Sequence, residues 1–262
     1  MSEIFSGLFT PAPGVVDGIL AISVLYVLAV WPLRRHLAPE QPFEKWRFVS
    51  YFLGVAILIL AVATPLDEIG EKYLFSAHML QHVILIFLLP PFLLLGCPHW
   101  LADFLLRTEG LGKVLAFLVK PVVACFLFNF TLAFWHIPAF YELALRDSFI
   151  HLAEHVCFVG TAILMYWPLL DPGRRQSQGH PGIKLLYILG VSIGQLPLFA
   201  ALTFSSEVFY PTYAAAPRYF HDLSPIDDQI LGGAIMKLSA VAYMFLGLCV
   251  FFYRWYRSEP RR

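Results

Sequence analysis

Two five-residue segments of this chain place histidines in the same arrangement, HMLQH at 78–82 and HLAEH at 151–155. On an α-helix, residues i and i+4 share a face with their Cβ atoms about 6 Å apart, so each pair could hold one metal ion. Position i+3 lies on that face too. We therefore expect Gln81 and Glu154 to orient the rings through hydrogen bonds, and Glu154 could itself be a ligand.

The residue types in this layer allow several metals. Imidazole binds copper, zinc, iron and nickel, whereas a thioether favours Cu(I). Met79 and Met236 are expected near the histidines and would favour Cu(I) over zinc if they act as ligands. Three other interpretations stay open: a zinc-dependent membrane hydrolase, because HLAEH fits the HxxEH pattern of one protease class; haem ligation by one histidine from each segment; and histidines that only join helices.

The composition is that of a polytopic membrane protein. Of 262 residues, 59% are hydrophobic and 14% are charged, where a soluble domain carries roughly a quarter charged residues. The net charge is zero, which gives no support for nucleic-acid binding. We predict an all-α fold with one seven-helix transmembrane domain over 1–262 in the lipid bilayer. Its apolar runs, each long enough to span, are 14–33, 48–64, 74–96, 114–134, 149–170, 184–204 and 230–253.

The distribution of Lys and Arg predicts the orientation of these spans. Of the 18 basic residues, 13 lie in connections on one side and three on the other. Cytoplasmic connections carry the excess of positive charge, so the N-terminus is expected outside and the C-terminus in the cytoplasm. Both histidine pairs then lie in the first turns of spans that enter from outside. His136 ends the fourth span on that face, which places the predicted metal site near the outer surface.

The last span and the connection before it supply further candidates. Asp228 precedes the seventh span, and Lys237 lies about two turns inside it. Lys237 is expected to pair with Asp228 or Glu154, or to extend towards the interface. The aromatic connection 205–229 contains His221 and is expected either to form an interface belt or to cap the histidine layer.

Several segments resemble one known family. HMLQHVILIFLLPPFLLLG, WHIPAFYELAL, HLAEHVCF, YWPLLDP and DQILGGAIM follow in this order from about residue 70 to 240. They are similar to the CtaG family of assembly factors for caa3-type cytochrome c oxidases. The resemblance implies a multi-pass protein of the bacterial cytoplasmic (inner) membrane that is needed to form active haem-copper oxidase. The histidines that correspond to the family's are His78, His82, His136, His151 and His155.

The resemblance also implies a task, namely copper delivery to the CuB centre in the catalytic subunit of the oxidase. A site near the outer face could receive its copper from a periplasmic donor. We therefore expect Cu(I) to be held by four of these residues and released by ligand exchange: His78, His82, His151 and His155. No turnover is required, so no enzyme is predicted. The alternatives are the zinc hydrolase and a metal-free assembly scaffold. Lys237 departs from the pattern, because an aromatic residue is expected there.

Overall fold

The structure, a computed structural model, describes residues 14–173 and 181–258. The described residues form helices and turns without a β-strand, which confirms the all-α prediction. In chain order the helices are α1 (Val15–Leu37), α2 (Lys45–Val62), α3 (Pro65–Lys72), α4 (Phe75–Gly96), α5 (His99–Arg107), α6 (Leu111–Leu118), α7 (Pro121–Trp135), α8 (Pro138–Arg146), α9 (Ser148–Leu170), α10 (Pro181–Phe204), α11 (Pro211–Ala215) and α12 (Pro225–Ser258).

Six of the described helices are long and apolar enough to cross a membrane: α1, α2, α4, α9, α10 and α12. The fourth predicted span, 114–134, is instead divided between α6 and α7, which meet at a 79° bend. Pro121 causes the break, because the residue before a proline is pushed out of the helical region. Lys120 is accordingly extended, with φ −61° and ψ 133°. The described chain therefore has six candidate spans, or up to seven if the bent pair crosses as one. The direction of the termini stays a prediction.

The long helix α4 is the centre of the bundle. It packs against α2, α3, α9 and α12, and α7 and α10 complete a ring with α9 and α12. Inside that ring lies a small cavity bordered by His82, Gln195 and Met236. The helix α1 packs at the edge on α2, where Tyr26 stacks on Tyr51 with ring centroids 3.6 Å apart. The element that carries one histidine pair is thus the most enclosed helix of the fold.

A π-helical turn interrupts α4 at Ile84–Leu88 and begins two residues after His82. Two prolines, Pro90 and Pro91, follow it. A proline inside a helix lacks an N–H and clashes with the carbonyl group of residue i−4. The wider π-helical turn just before the two prolines accommodates both the missing N–H groups and the clash. Such turns are frequent at functional sites, and this one begins within one turn of the second histidine of the HMLQH segment.

The beginning of α4 is held by a carboxylate from a distant helix. The first N–H groups of a helix have no partner within it. Asp228 accepts hydrogen bonds from the backbone N–H of Phe75 at 2.7 Å and of Ser76 at 3.1 Å. A Cβ on Gly232, one turn further along α12, would lie 2.4 Å from the Phe75 ring. The two helices are therefore joined closely beside the first turn of α4. Asp228 was predicted as a pairing or entrance group, but it anchors this helix.

Candidate metal site

The structure brings the five predicted histidines into one buried cluster. His78 and His82 come from α4, His151 and His155 come from α9, and His136 follows α7. The ring centroids are 4.3 Å apart within the first pair and 4.2 Å apart within the second. Between the pairs, His78 lies 5.3 Å from His151 and His82 lies 5.4 Å from His155. His136 lies 6.0 Å from His82. All five are less than one-tenth exposed.

The hydroxyl group of Tyr213 determines which nitrogen of His78 is free. Burial raises the pKa of Tyr213 well above its usual value, so the hydroxyl keeps its proton. It donates that proton to the carbonyl group of Gly70 at 2.7 Å. Having no other proton, the oxygen must accept from Nδ1 of His78, 3.0 Å away. Nε2 of His78 is then an unprotonated electron-pair donor, and it faces Nε2 of His82 at 2.8 Å.

Glu154 lies at 0% exposure beside this pair. Both of its carboxylate oxygens are buried without a hydrogen-bond partner among the described residues, and Oε1 is 3.8 Å from Nε2 of His82. Nε2 of His151, Nε2 of His155 and Nδ1 of His82 are also buried and unpaired there. Buried polar groups normally have partners, because leaving them unpaired costs free energy. This concentration of unpaired donor atoms fits a bound cation.

The side chains of Met79 and His136 provide a second pair of candidate metal-ligand atoms at the border of the cluster. Nδ1 of His136 donates to the carbonyl group of Leu132 at 2.7 Å. In a neutral ring Nε2 then has a free lone pair, and it lies 3.4 Å from Sδ of Met79. A thioether is also an acceptor, so no strong hydrogen bond satisfies this contact. An imidazole nitrogen beside a thioether sulfur is a ligand set typical of Cu(I).

Each of these residues offers one ligand atom, and the atoms of neighbouring residues lie close enough together to bind one ion. Two sets of three have ligand atoms within 4.8 Å of one another: His78 with His151 and His155, and His78 with His82 and Glu154. Metal–nitrogen bonds of about 2.0 Å place two ligands of one ion at most about 4 Å apart. Small side-chain rotations would therefore complete either set, and His78 is shared by both.

Sequence reasoning missed a third set. Asp67 and Glu71 on α3, with His151, also have ligand atoms within 4.8 Å of one another. Glu71 Oε1 lies 2.5 Å from His151 Nδ1. Burial and then the charge of Glu71 raise the pKa of Asp67 to about 6, while His151 and a hydrogen bond from Gln81 oppose that rise. The available signal was the spacing of the two carboxylates, which are one helical turn apart just before HMLQH.

The remaining predicted residues take different positions. The Gln81 amide donates to Asp67 and to the carbonyl group of Ala61, so it positions a carboxylate, where a histidine ring was expected. Met236 is buried and borders the cavity beside His82. Lys237 is exposed with its Nζ over the Phe204 ring, which fits the alternative expectation that it extends outward and not the pairing with Asp228 or Glu154.

The aromatic connection does reach the site, but through Tyr213. His221, the histidine predicted there, is exposed. In the described part of the chain no hydrogen bond or ring contact joins it to the cluster. The part of the connection that covers the histidines is the short helix α11 and the residue before it, where Tyr213 and Tyr210 are buried. The expectation that this segment caps the histidine layer is therefore met by tyrosines.

Comparison with known proteins gives one family and a few uncharacterized relatives. The family described as cytochrome c oxidase caa3 assembly factor matches residues 24–258. Uncharacterized proteins of Mycobacterium bovis and Mycobacterium tuberculosis are each 23% identical over 99% of this chain and 43% of their own length. One of Mycobacterium leprae is 24% identical over 92% of this chain and 38% of its own length.

The chain thus spans less than half the length of these relatives. No solved structure matches it. The family match nevertheless covers most of the sequence and includes every histidine of the cluster. The chain therefore belongs to the family of cytochrome c oxidase caa3 assembly factors.

Proposed function

We propose that this protein binds one copper ion in the histidine cluster and delivers it to the CuB centre of a cytochrome c oxidase during assembly. The observation that carries the proposal is the environment of Glu154. Its two oxygens are fully buried, unpaired within the described chain, and adjacent to His82. Family membership supports the oxidase as the partner. The same membership fits the predicted location in the bacterial cytoplasmic membrane.

Charge balance favours Cu(I) over zinc in this cluster. A buried charge is expensive unless an opposite charge compensates for it. Neutral imidazoles add no charge, so one Cu(I) ion and the Glu154 carboxylate make a site without net charge, whereas Zn(II) leaves one positive charge. The Met79 thioether beside His136 adds a soft donor that also favours Cu(I).

Delivery requires that the ion can leave, and the ligand arrangement allows stepwise exchange. His78 belongs to two of the close ligand sets, so an ion can exchange His151 and His155 for His82 and Glu154 without losing all its ligands. His82 of the second set borders the cavity between α4, α7, α10 and α12. We infer that a ligand from the oxidase subunit then replaces these donors one at a time. No bond of a substrate is broken, so no turnover is needed.

The first test is the metal content of the purified full chain after loading with Cu(I) or Zn(II) and washing. The test variant is His78→Ala/His151→Ala. The matched control is His221→Ala, which removes an exposed histidine away from the cluster. We expect near-stoichiometric copper in the wild type and in the control, and little copper in the double variant. Equal copper retention in all three proteins would refute the assignment of the site.

Oxidase assembly in cells distinguishes copper delivery from the two alternative functions, a zinc hydrolase and a metal-free scaffold. The copper proposal expects oxidase that lacks CuB when the double variant replaces the wild type, with recovery when copper is added in excess. A zinc hydrolase would instead retain zinc and lose turnover in Glu154→Gln. A metal-free scaffold would assemble normal oxidase with the double variant, and that result would end the copper proposal.

A further inference from the structure

Two carboxylates beside the histidine cluster, Asp67 and Glu71, share His151 with it and point to a route by which the metal enters. We propose that Asp67, Glu71 and His151 form an outer station that receives the copper ion before the histidine cluster does. This inference rests on the proposed function, since it concerns the same cargo. The ligand is the same copper ion, held at this station by two carboxylates and one imidazole, of which the imidazole is the group suited to copper.

The side chains of Glu71, His151 and Glu154 are progressively more buried and form a path from the surface inwards. The Glu71 side chain is 30% exposed, that of His151 is 7% exposed, and that of Glu154 is 0% exposed. The first two are in contact, with Oε1 of Glu71 2.5 Å from Nδ1 of His151. An ion that meets the exposed carboxylate is therefore one side chain away from the buried cluster.

The Asp67 carboxylate is built into this station and is not a freely moving surface group. It accepts a hydrogen bond from the amide of Gln81, which also donates to the carbonyl group of Ala61 at 3.1 Å. Gln81 is 0% exposed and lies on α4 between the two cluster histidines of that helix. Its own Oε1 is buried and unpaired in the described chain. The HMLQH segment thus supplies ligands to the inner site and a support for the outer one.

His151 connects the two sites through its two ring nitrogens. Nδ1 contacts Glu71, and Nε2 is buried without a hydrogen-bond partner among the described residues. The same residue also belongs to the close set with His78 and His155. A neutral imidazole has one free lone pair, so His151 can serve only one site at a time. The outer station and the cluster are therefore occupied in turn by a single ion.

The ligand chemistry gives the transfer its direction. Carboxylate oxygens are poor ligands for Cu(I), whereas imidazole and thioether groups are good ones. The outer station holds the ion briefly, and the cluster holds it more tightly. The ion moves by ligand exchange with no change in oxidation state. Two carboxylates near the surface also raise the local concentration of cations and so speed their arrival.

The test compares loading rate with affinity. Cu(I) is supplied from a coloured chelator to the full-length protein in detergent, and its transfer is followed by the loss of colour. The test variant is Asp67→Asn/Glu71→Gln. The matched control is Glu68→Gln on the same helix, where Glu68 pairs with Lys72 at 2.8 Å. We expect the double variant to load about tenfold more slowly, with the equilibrium affinity within about twofold of the wild type. The control should load at the wild-type rate.

A second measurement isolates the station from the cluster. His78→Ala/His155→Ala removes two cluster ligands and leaves the station intact. Cu(II) added to this variant should give an electron paramagnetic resonance spectrum with one nitrogen ligand. That spectrum should disappear when Asp67→Asn/Glu71→Gln is added. This readout does not depend on whether the wild type retains Cu(I), so it separates failure of the outer station from failure of the proposed function.

Three results would overturn the outer station. The first is a wild-type loading rate in Asp67→Asn/Glu71→Gln. The second is an equal loss of rate and affinity in that variant, which would make the carboxylates part of the cluster itself. The third is a Cu(II) spectrum that survives their removal. If the double variant does not fold, Glu71→Gln alone decides the question, because Glu71 is partly exposed and glutamine has the same shape.

Discussion

The hydroxyl group of Tyr213 lies 3.0 Å from Nδ1 of His78, although 135 residues separate them in the sequence. The same hydroxyl binds the carbonyl group of Gly70 and contacts the hydroxyl of Tyr141 at 3.1 Å. Three segments of the chain therefore meet at one oxygen atom, and that atom determines which His78 nitrogen faces the cluster. Through this one hydrogen bond, Tyr213 controls how His78 can bind a metal.

Tyr213→Phe should weaken copper binding while leaving the fold in place. Partners that orient a metal-bound histidine are typically worth about 10- to 100-fold in affinity, so we expect a loss of that size in a chelator competition. Tyr219→Phe is the control. Tyr219 lies in the same connection as Tyr213 but packs against Tyr73, away from the cluster. Unchanged affinity in Tyr213→Phe would mean that His78 binds metal through either nitrogen.

Met79→Leu should separate Cu(I) from zinc. Leucine fills the same buried space but lacks the sulfur that faces His136, and hydrophobic exchanges of this kind cost less than about 1.5 kcal/mol of stability. We expect weaker retention of Cu(I) and unchanged retention of Zn(II), because the thioether favours the softer ion. The comparison is Met244→Leu, which changes a methionine of α12. Equal effects on both metals would show that Met79 acts by packing.

Asp228→Ala should lower stability without acting on the metal site directly. It leaves the N–H groups of Phe75 and Ser76 unpaired at the start of α4, which we expect to cost about 1 to 2 kcal/mol in the free energy of unfolding. Asp227→Ala changes the exposed neighbour and should cost less. If the Asp228→Ala variant has normal stability but binds no copper, then Asp228 acts in metal entry and not in anchoring α4.

Gly70→Ala should disturb the contact between α3 and α4. A Cβ at this position would lie 2.9 Å from Cα and 3.0 Å from N of His78, and backbone atoms cannot move aside as a side-chain tip can. We expect a loss of about 1 to 3 kcal/mol of stability and reduced copper retention. Gly160→Ala on α9 meets nothing within 4 Å and should be neutral or slightly stabilising. A thermal melt of both variants with and without copper measures the difference.

The positions of the histidines could be predicted because they follow from local rules. The i, i+4 spacing puts each pair on one helix face, and the hydropathy of the flanking residues puts both pairs inside the bundle. The residues Asp67 and Tyr213 could not be predicted in the same way. Both reach the site from segments that read as connections between spans, and only the packing of α3 and α11 over the cluster brings them there.

The role of Asp228 and the break before Pro121 show two further limits. Two acidic residues before an apolar run indicate the start of their own helix, yet Asp228 caps a different helix 153 residues away. Hydropathy alone reads 114–134 as one span because Lys120 and Pro121 lie among apolar residues. The backbone restriction at proline overrides that average.

The short length of α7 has a consequence for the surrounding bilayer. Its 15 residues cover about 22 Å along the helix axis, less than the hydrocarbon thickness of about 30 Å. The 34 residues of α12 extend about 51 Å in the same ring of helices. If α7 crosses the bilayer without α6, the acyl chains beside it must shorten or tilt to match its length, and the membrane is deformed unevenly around the bundle. The side of the bundle formed by α7 would then have the thinnest lipid annulus.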